Sequence, residues 1–329
     1  MPKTRWRKSR KRSTDSELQR RLHCGVFPLH ARMPHQQPVL EVQTPDGHRF
    51  ELIHVPCSAP RARLLFLPGM GVSARQYIAF GQALAVHGIE SWIHEWRGLG
   101  SSNWRADRAA DWGYRELLQQ DLLGAVDRIQ AVIRGQPIIL GGHSLGSQLA
   151  CLLGALRPEA CAGLLIVAGG APYWRAFSGW MRFGLPTIFF TMPAIAGLVG
   201  HYPGRRLGFA GREARGVIRD WTLSGRRGVY TPSGIDHDLE QGMRDLNVPA
   251  LSLRMADDWF VPQSSLDWLK GKLGSAHHEQ TVLTGEHLTG AADHYRWMRE
   301  PDSSALAIAD WLNRQPASEL ARAAASNRA

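Results

Sequence analysis

From residue 63 onward the chain alternates short apolar runs with longer stretches whose apolar residues recur at helical spacing, and this alternation restricts the fold more than any other feature of the sequence. Strand-like runs lie at 63–67, 89–94, 137–140 and 163–168, and again at 250–255 and 279–283. Between and after them, 73–86, 114–133, 144–156, 262–273 and 303–312 read as helices. Apolar strands separated by helices form a parallel sheet covered on both faces, so the expected class is α/β. A hairpin precedes it, since 39–56 holds two β-rich runs around Pro45-Asp46-Gly47, which is turn chemistry.

The alternation stops between 171 and 247, where the sequence turns rich in Trp, Phe, Met, Gly and Arg without a clear strand. This stretch reads as an inserted lid. The expected organisation is a basic N-terminal segment (1–37), a first core part (38–170), the lid (171–247), a second core part (248–314) and a frayed tail (315–329). Residues 183–200 carry no charge and are long enough to suggest a membrane span. Pro186 and Pro193 inside them favour a pair of lid helices instead.

Gly142-His143-Ser144-Leu145-Gly146 is a G-x-S-x-G pattern, in which small residues around the serine permit a tight strand-to-helix turn that exposes Oγ. Roughly 0.2 such matches arise by chance in a chain of this size and composition, so context decides. Here the pattern follows Ile138-Ile139-Leu140 and opens a helix, as a nucleophile elbow requires. Ser144 is therefore the expected nucleophile. A serine hydroxyl reacts at neutral pH only when a base takes its proton and a third group holds that base.

With these motifs in order, the chain resembles the α/β-hydrolase family from about residue 39 to 312. Leu67-Pro68-Gly69-Met70-Gly71 is similar to the family's oxyanion loop, with Pro68 where a histidine is usual, and Arg97-Gly98-Leu99-Gly100-Ser101 to its R-G-x-G-x-S turn. The resemblance implies a mostly parallel, doubly covered sheet with an inserted helical lid. It also implies an acid and a base following the serine in that order. Asp257-Asp258-Trp259-Phe260-Val261-Pro262 resembles the family's D-x-x-V-P and places the acid at Asp258, with Asp257 as the alternative. His294, seven residues before Pro301, matches the family's histidine, although Asp293 stands where glycine is usual; His287 is the alternative base. The oxyanion would be held by the backbone N–H groups of Met70 and Leu145. His201 to Gly208 (HYPGRRLG) and Asp220-Trp221 are similar to a bacterial subgroup of the family.

The expected activity is cleavage of a carboxylic ester, thioester or lactone through an acyl-enzyme, on a small apolar acyl substrate. Acyl transfer by the same residues, or a non-catalytic binding scaffold, are the alternatives. Trp174, Phe177 and Phe189, in an aromatic cluster just after the strand at 163–168, are the expected substrate contacts. No cofactor is expected, and no metal, because the fourteen histidines and four cysteines follow no ligand spacing. Cys24, Cys57, Cys151 and Cys161 are expected as buried free thiols. Of the formal net charge of +10, most lies in the first 21 residues, nine basic against two acidic, which reads as a disordered segment. No apolar run with a small-residue cleavage site follows it, so the expected location is the cytoplasm and no nucleic-acid partner is implied. The basic segment and the lid are candidate peripheral membrane contacts, and an apolar lid surface is a candidate homodimer face.

Overall fold

A computed structural model describes residues 37–274 and 277–315. The expectations for all but the last residue of the basic segment, for Cys24 and for all but the first residue of the tail concern positions outside the described residues.

Eight strands form one sheet: β1 (Val39–Gln43), β2 (Arg49–Val55), β3 (Ala62–Leu67), β4 (Ile89–Ile93), β5 (Ile138–His143), β6 (Cys161–Val167), β9 (Ala250–Met255) and β10 (His278–Leu283). Their spatial order is β1-β2-β4-β3-β5-β6-β9-β10. The pairs β1/β2 and β2/β4 are antiparallel and the other five parallel. In the middle of the sheet β5 and β6 are buried along their whole length, as expected for strands covered on both faces.

Helices α1 (Ile78–Val86), α2 (Leu123–Val132), α3 (Leu145–Leu156), α4 (Gly179–Val199), α5 (Gly204–Leu207), α6 (Arg215–Arg227), α7 (Leu239–Asp245), α8 (Gln263–Lys270) and α9 (Asp302–Arg314) complete the chain. Two buried clusters face opposite sides of the sheet. One gathers Leu65, Leu140, Leu149, Leu153 and Ile166, the other Phe66, Phe80, Leu165, Trp297 and Trp311. Alternate residues of β3 and β6 thus feed alternate clusters, which is the strand period of two at work.

The structure departs from the sequence reading in several places. The helix expected at 114–133 opens as a π-helix over Glu116–Leu122, and this wider turn contains Asp121, which is fully buried and paired with Arg97 and His48. The expected pair of lid helices is one 21-residue helix, α4, that runs through both prolines. Phe189, Met192 and Ala196 are buried at spacings of three and four on its inner side, so packing holds the helix together where each proline removes a backbone bond. The expected lid stretch also contains a short antiparallel ribbon, β7 (Tyr202–Pro203) with β8 (Arg212–Glu213). The last part of the expected lid belongs to the core: α7 packs on α3, with Met243 and Leu246 in the same cluster as Leu149. Cys151 and Cys161 are buried free thiols, whereas Cys57 is only half-buried, near the end of β2 where the chain leaves the sheet.

Candidate active site

Ser144 stands between β5 and α3 with φ +54° and ψ −116°, a conformation in which a side chain is rarely held. Its neighbours permit it. A Cβ on Gly142 would lie 2.3 Å from the Gly146 carbonyl carbon, and a Cβ on Gly146 would lie 2.0 Å from the Leu67 carbonyl oxygen. Both are below any distance a real Cβ tolerates, so the backbone approach that makes the turn admits only glycine at either end. Ser147, one turn into α3, donates its hydroxyl to the Gly142 carbonyl at 2.5 Å and fastens the turn from inside.

Leu145 is the first residue of α3, so its N–H has no acceptor within the helix and is free to serve a ligand. Met70 lies in the turn after β3, closed by a bond from the Val72 N–H to the Gly69 carbonyl at 3.1 Å. Both residues line the same cavity as Ser144 and His294.

Asp258 follows β9 and His294 precedes α9. Their carboxylate Oδ2 and imidazole Nδ1 are 2.7 Å apart, and both side chains are buried. The other oxygen of Asp258 accepts the N–H groups of Phe260 at 2.9 Å and Val261 at 3.1 Å, which fixes the carboxylate with one edge toward the imidazole. The alternatives lie elsewhere. Asp257 accepts the Ala292 N–H at 2.8 Å and ties the end of β9 to the loop before His294. His287 is exposed and bonded to the Thr284 hydroxyl at 3.0 Å, away from the cavity. Asp293 caps its own turn by accepting the N–H groups of Tyr295 and Arg296, each at 2.8 Å.

One link in the site was not visible in the sequence. The Gly69 N–H donates to the Tyr77 hydroxyl at 2.9 Å, and that hydroxyl donates to His143 Nδ1 at 2.8 Å. Burial drives the Tyr77 pKa up and the His143 pKa well down, so the phenol keeps its proton and the imidazole is neutral and can accept it. The His143 ring in turn packs 4.6 Å, centroid to centroid, from that of His294. Tyr77 thereby joins the loop bearing Met70 to the elbow bearing Ser144.

The cavity has a volume of about 420 Å³ and walls that are mostly apolar. Phe177 and Phe189 line it, together with Leu185, Met192 and Ile195. Trp174 does not. The short 3-10 turn at Trp174–Ala176 packs its indole against Tyr173, with the guanidinium groups of Arg175 and Arg182 over the ring at 5.0 and 5.7 Å. Phe183 and Phe190 likewise lie outside the lining, on the outer side of α4.

A second Ser-His-Asp set lies in the core. His48 bonds Asp121 through Nδ1 and Ser102 Oγ through Nε2, both at 2.9 Å. All three are buried, none lines the cavity, and the Ser102 oxygen already accepts the N–H groups of Gly98 and Trp104. This set pins the 97–104 turn and has no route to a substrate. Among the described residues, no three His, Cys, Asp or Glu side chains converge as a metal site.

The sequence profile of the family described as "Serine aminopeptidase, S33" matches residues 58–203. Human monoglyceride lipase is 27% identical over 113 residues, which cover 34% of this chain and 36% of that protein, so the match spans about a third of that relative's length. A thermophilic esterase from Thermogutta terrifontis superposes with a TM-score of 0.55 at 17% identity, over 84% of this chain and 98% of the esterase. A monoacylglycerol lipase from Paleococcus ferrophilus does so with a TM-score of 0.53 at 17% identity, over 82% and 100%.

Proposed function

From the premise that this chain has the α/β-hydrolase fold, we propose that it cleaves carboxylic esters of apolar acyl chains through an acyl-enzyme on Ser144. The observation that carries this reading is that Ser144 and His294, the latter bonded to Asp258, line one apolar cavity.

With Nδ1 committed to Asp258, His294 has Nε2 left to take the Ser144 proton as Oγ attacks the ester carbonyl. Asp258 holds the ring in that tautomer and stabilises the imidazolium that forms. The carbonyl oxygen becomes an oxyanion facing the N–H groups of Leu145 and Met70, each such donor being worth about 3 kcal/mol in the transition state. His294 then returns the proton to the departing alkoxide, and the alcohol leaves an acyl group on Ser144. Water attacks that ester with His294 again as base, and the carboxylic acid is released.

The acyl chain would lie along Phe177, Leu185 and Phe189. A methylene moved from water into apolar surroundings contributes about 0.8 kcal/mol, so kcat/KM should rise about fourfold per added methylene until the cavity is full. The test is hydrolysis of p-nitrophenyl esters from acetate upward by wild type and by Ser144→Ala. The expected result is that rise with chain length, and a loss of at least about 10⁴-fold in kcat in the variant. A rate that ignores chain length removes the acyl-pocket reading, and a variant that keeps its rate removes Ser144 as nucleophile.

A further inference from the structure

The outer face of α4 has no partner. Trp180, Phe183, Phe190 and Leu198 are 71%, 77%, 63% and 76% exposed, and with Thr187 and Ala194 between them they recur every three or four residues along the whole helix. This is one continuous apolar ridge on the side opposite Phe189, Met192 and Ala196. Soluble surfaces rarely leave such a ridge open without a use for it.

Charge decides among its occupants. Residues 171–230 hold nine arginines against two acids, Glu213 and Asp220, while the rest of the chain beyond residue 21 is net negative. Asp220 is buried under the Tyr114 N–H and Glu213 is half-buried on the Gly211 N–H, so residues 171–230 expose arginines and no free carboxylate. Arginines also accompany the ridge along its length. Arg182 lies beside Phe183, the Arg226 guanidinium sits 4.7 Å over the Phe190 ring, and Arg108 donates to the Leu198 carbonyl. A second copy would bring an equally basic lid against this one, and the N-terminal segment is basic too, so both are disfavoured. An apolar ridge flanked by arginines matches an anionic lipid surface, where aromatic and aliphatic side chains enter the acyl boundary and guanidinium groups meet phosphate.

The ridge also reaches the cavity. Trp180 and Ile188 are exposed and yet line it, as do Leu207, Trp259 and Tyr295 around its mouth. We propose that the lid docks on anionic lipid bilayers through the outer face of α4, so that an acyl substrate passes from the lipid into the cavity without crossing water. The second half of this statement rests on the ester-hydrolase reading; the docking itself does not.

The test is co-sedimentation of the full chain with phosphatidylcholine vesicles and with vesicles of phosphatidylcholine mixed with phosphatidylglycerol. Hydrolysis of a soluble short-chain p-nitrophenyl ester is measured in parallel. The variant is Phe183→Gln/Phe190→Gln/Leu198→Gln, whose three positions are exposed and outside the cavity lining and whose basic N-terminus is unchanged. The expected result is binding that favours the anionic vesicles, weakens with salt, and drops at least about tenfold in the variant with the soluble-ester rate unchanged. Absence of vesicle binding overturns the proposal. So does equal binding by the variant, which would assign the attachment to the basic N-terminus, and so does a variant whose only change is loss of self-association or of an acidic protein partner. Vesicle binding lost in the variant, with no ester hydrolysed by either protein, keeps the docking and overturns the ester reading instead.

Discussion

Tyr77 ties the loop that bears Met70 to the turn that bears Ser144. Its hydroxyl is the only described link from Gly69 to His143, and each of those groups would be left buried and unpaired without it. Tyr77→Phe keeps the ring and its packing on Phe66 and Trp297 but removes that link. We expect kcat on a p-nitrophenyl ester to fall about tenfold to a hundredfold with KM nearly unchanged, because the oxyanion loop and the elbow lose their common register. A proportional rise in KM with unchanged kcat would contradict a positioning role. The sequence disclosed the residues whose placement is local. Ser144 sits in a turn that its own glycines define, and Asp258 and His294 follow recognisable elements. Tyr77 lies 66 residues before His143 on a different element, and nothing local marks it. Trp174 was drawn into the pocket by composition, although one turn of backbone at Trp174–Ala176 decides which way the indole goes.

Among the elements, α4 separates the two uses of an apolar helix. Its inner side walls the cavity and its outer side faces solvent, and both sides are apolar, so composition alone cannot distinguish them. The helical period does distinguish them, since Phe183 and Phe190 are out of phase with Phe189 and Met192. The helix α4 packs on α6, tightly at Gly225, where an added Cβ would lie 2.5 Å from the Phe189 ring. Gly225→Ala should therefore push Phe189 into the cavity. The expected outcome is a kcat/KM for long-chain esters reduced about fivefold to tenfold, with that for the acetate ester little changed, measured on the same ester series. The length of the helix after Ser144 and the succession of strands along the chain were legible because short apolar runs alternate there with helical spacing. The π-helix at Glu116–Leu122 was not, because what marks it is the distant pairing of Asp121 with His48 and Arg97.

For the molecule as a whole, the two buried clusters on either face of the sheet carry the fold, and one histidine in its interior sets an acid limit on it. His94 is fully buried between Phe50 and Trp96, and neither ring nitrogen has a hydrogen-bond partner among the described residues. Burial lowers its pKa from an ordinary 6.5 to about 3. The folded chain therefore resists a proton that the unfolded chain accepts. Stability tied to neutral His94 is complete above about pH 6.5 and is lost as the pH falls toward 3, by an amount on the order of a few kcal/mol. Urea unfolding of wild type and His94→Phe across that range should show a shallower acid decline in the variant, whatever its stability at neutral pH; equal slopes would assign the decline to other groups. The same tertiary contacts that bury His94 also bring Ser144 and His294 to one cavity, with Asp258 bonded to His294 from a third part of the chain. That convergence is the central claim, and peptide mapping after reaction with a fluorophosphonate tests it most directly. The expected result is a phosphonyl adduct on Ser144, with loss of ester hydrolysis in proportion to labelling. An adduct on another hydroxyl, or full hydrolysis with Ser144 unlabelled, would contradict it.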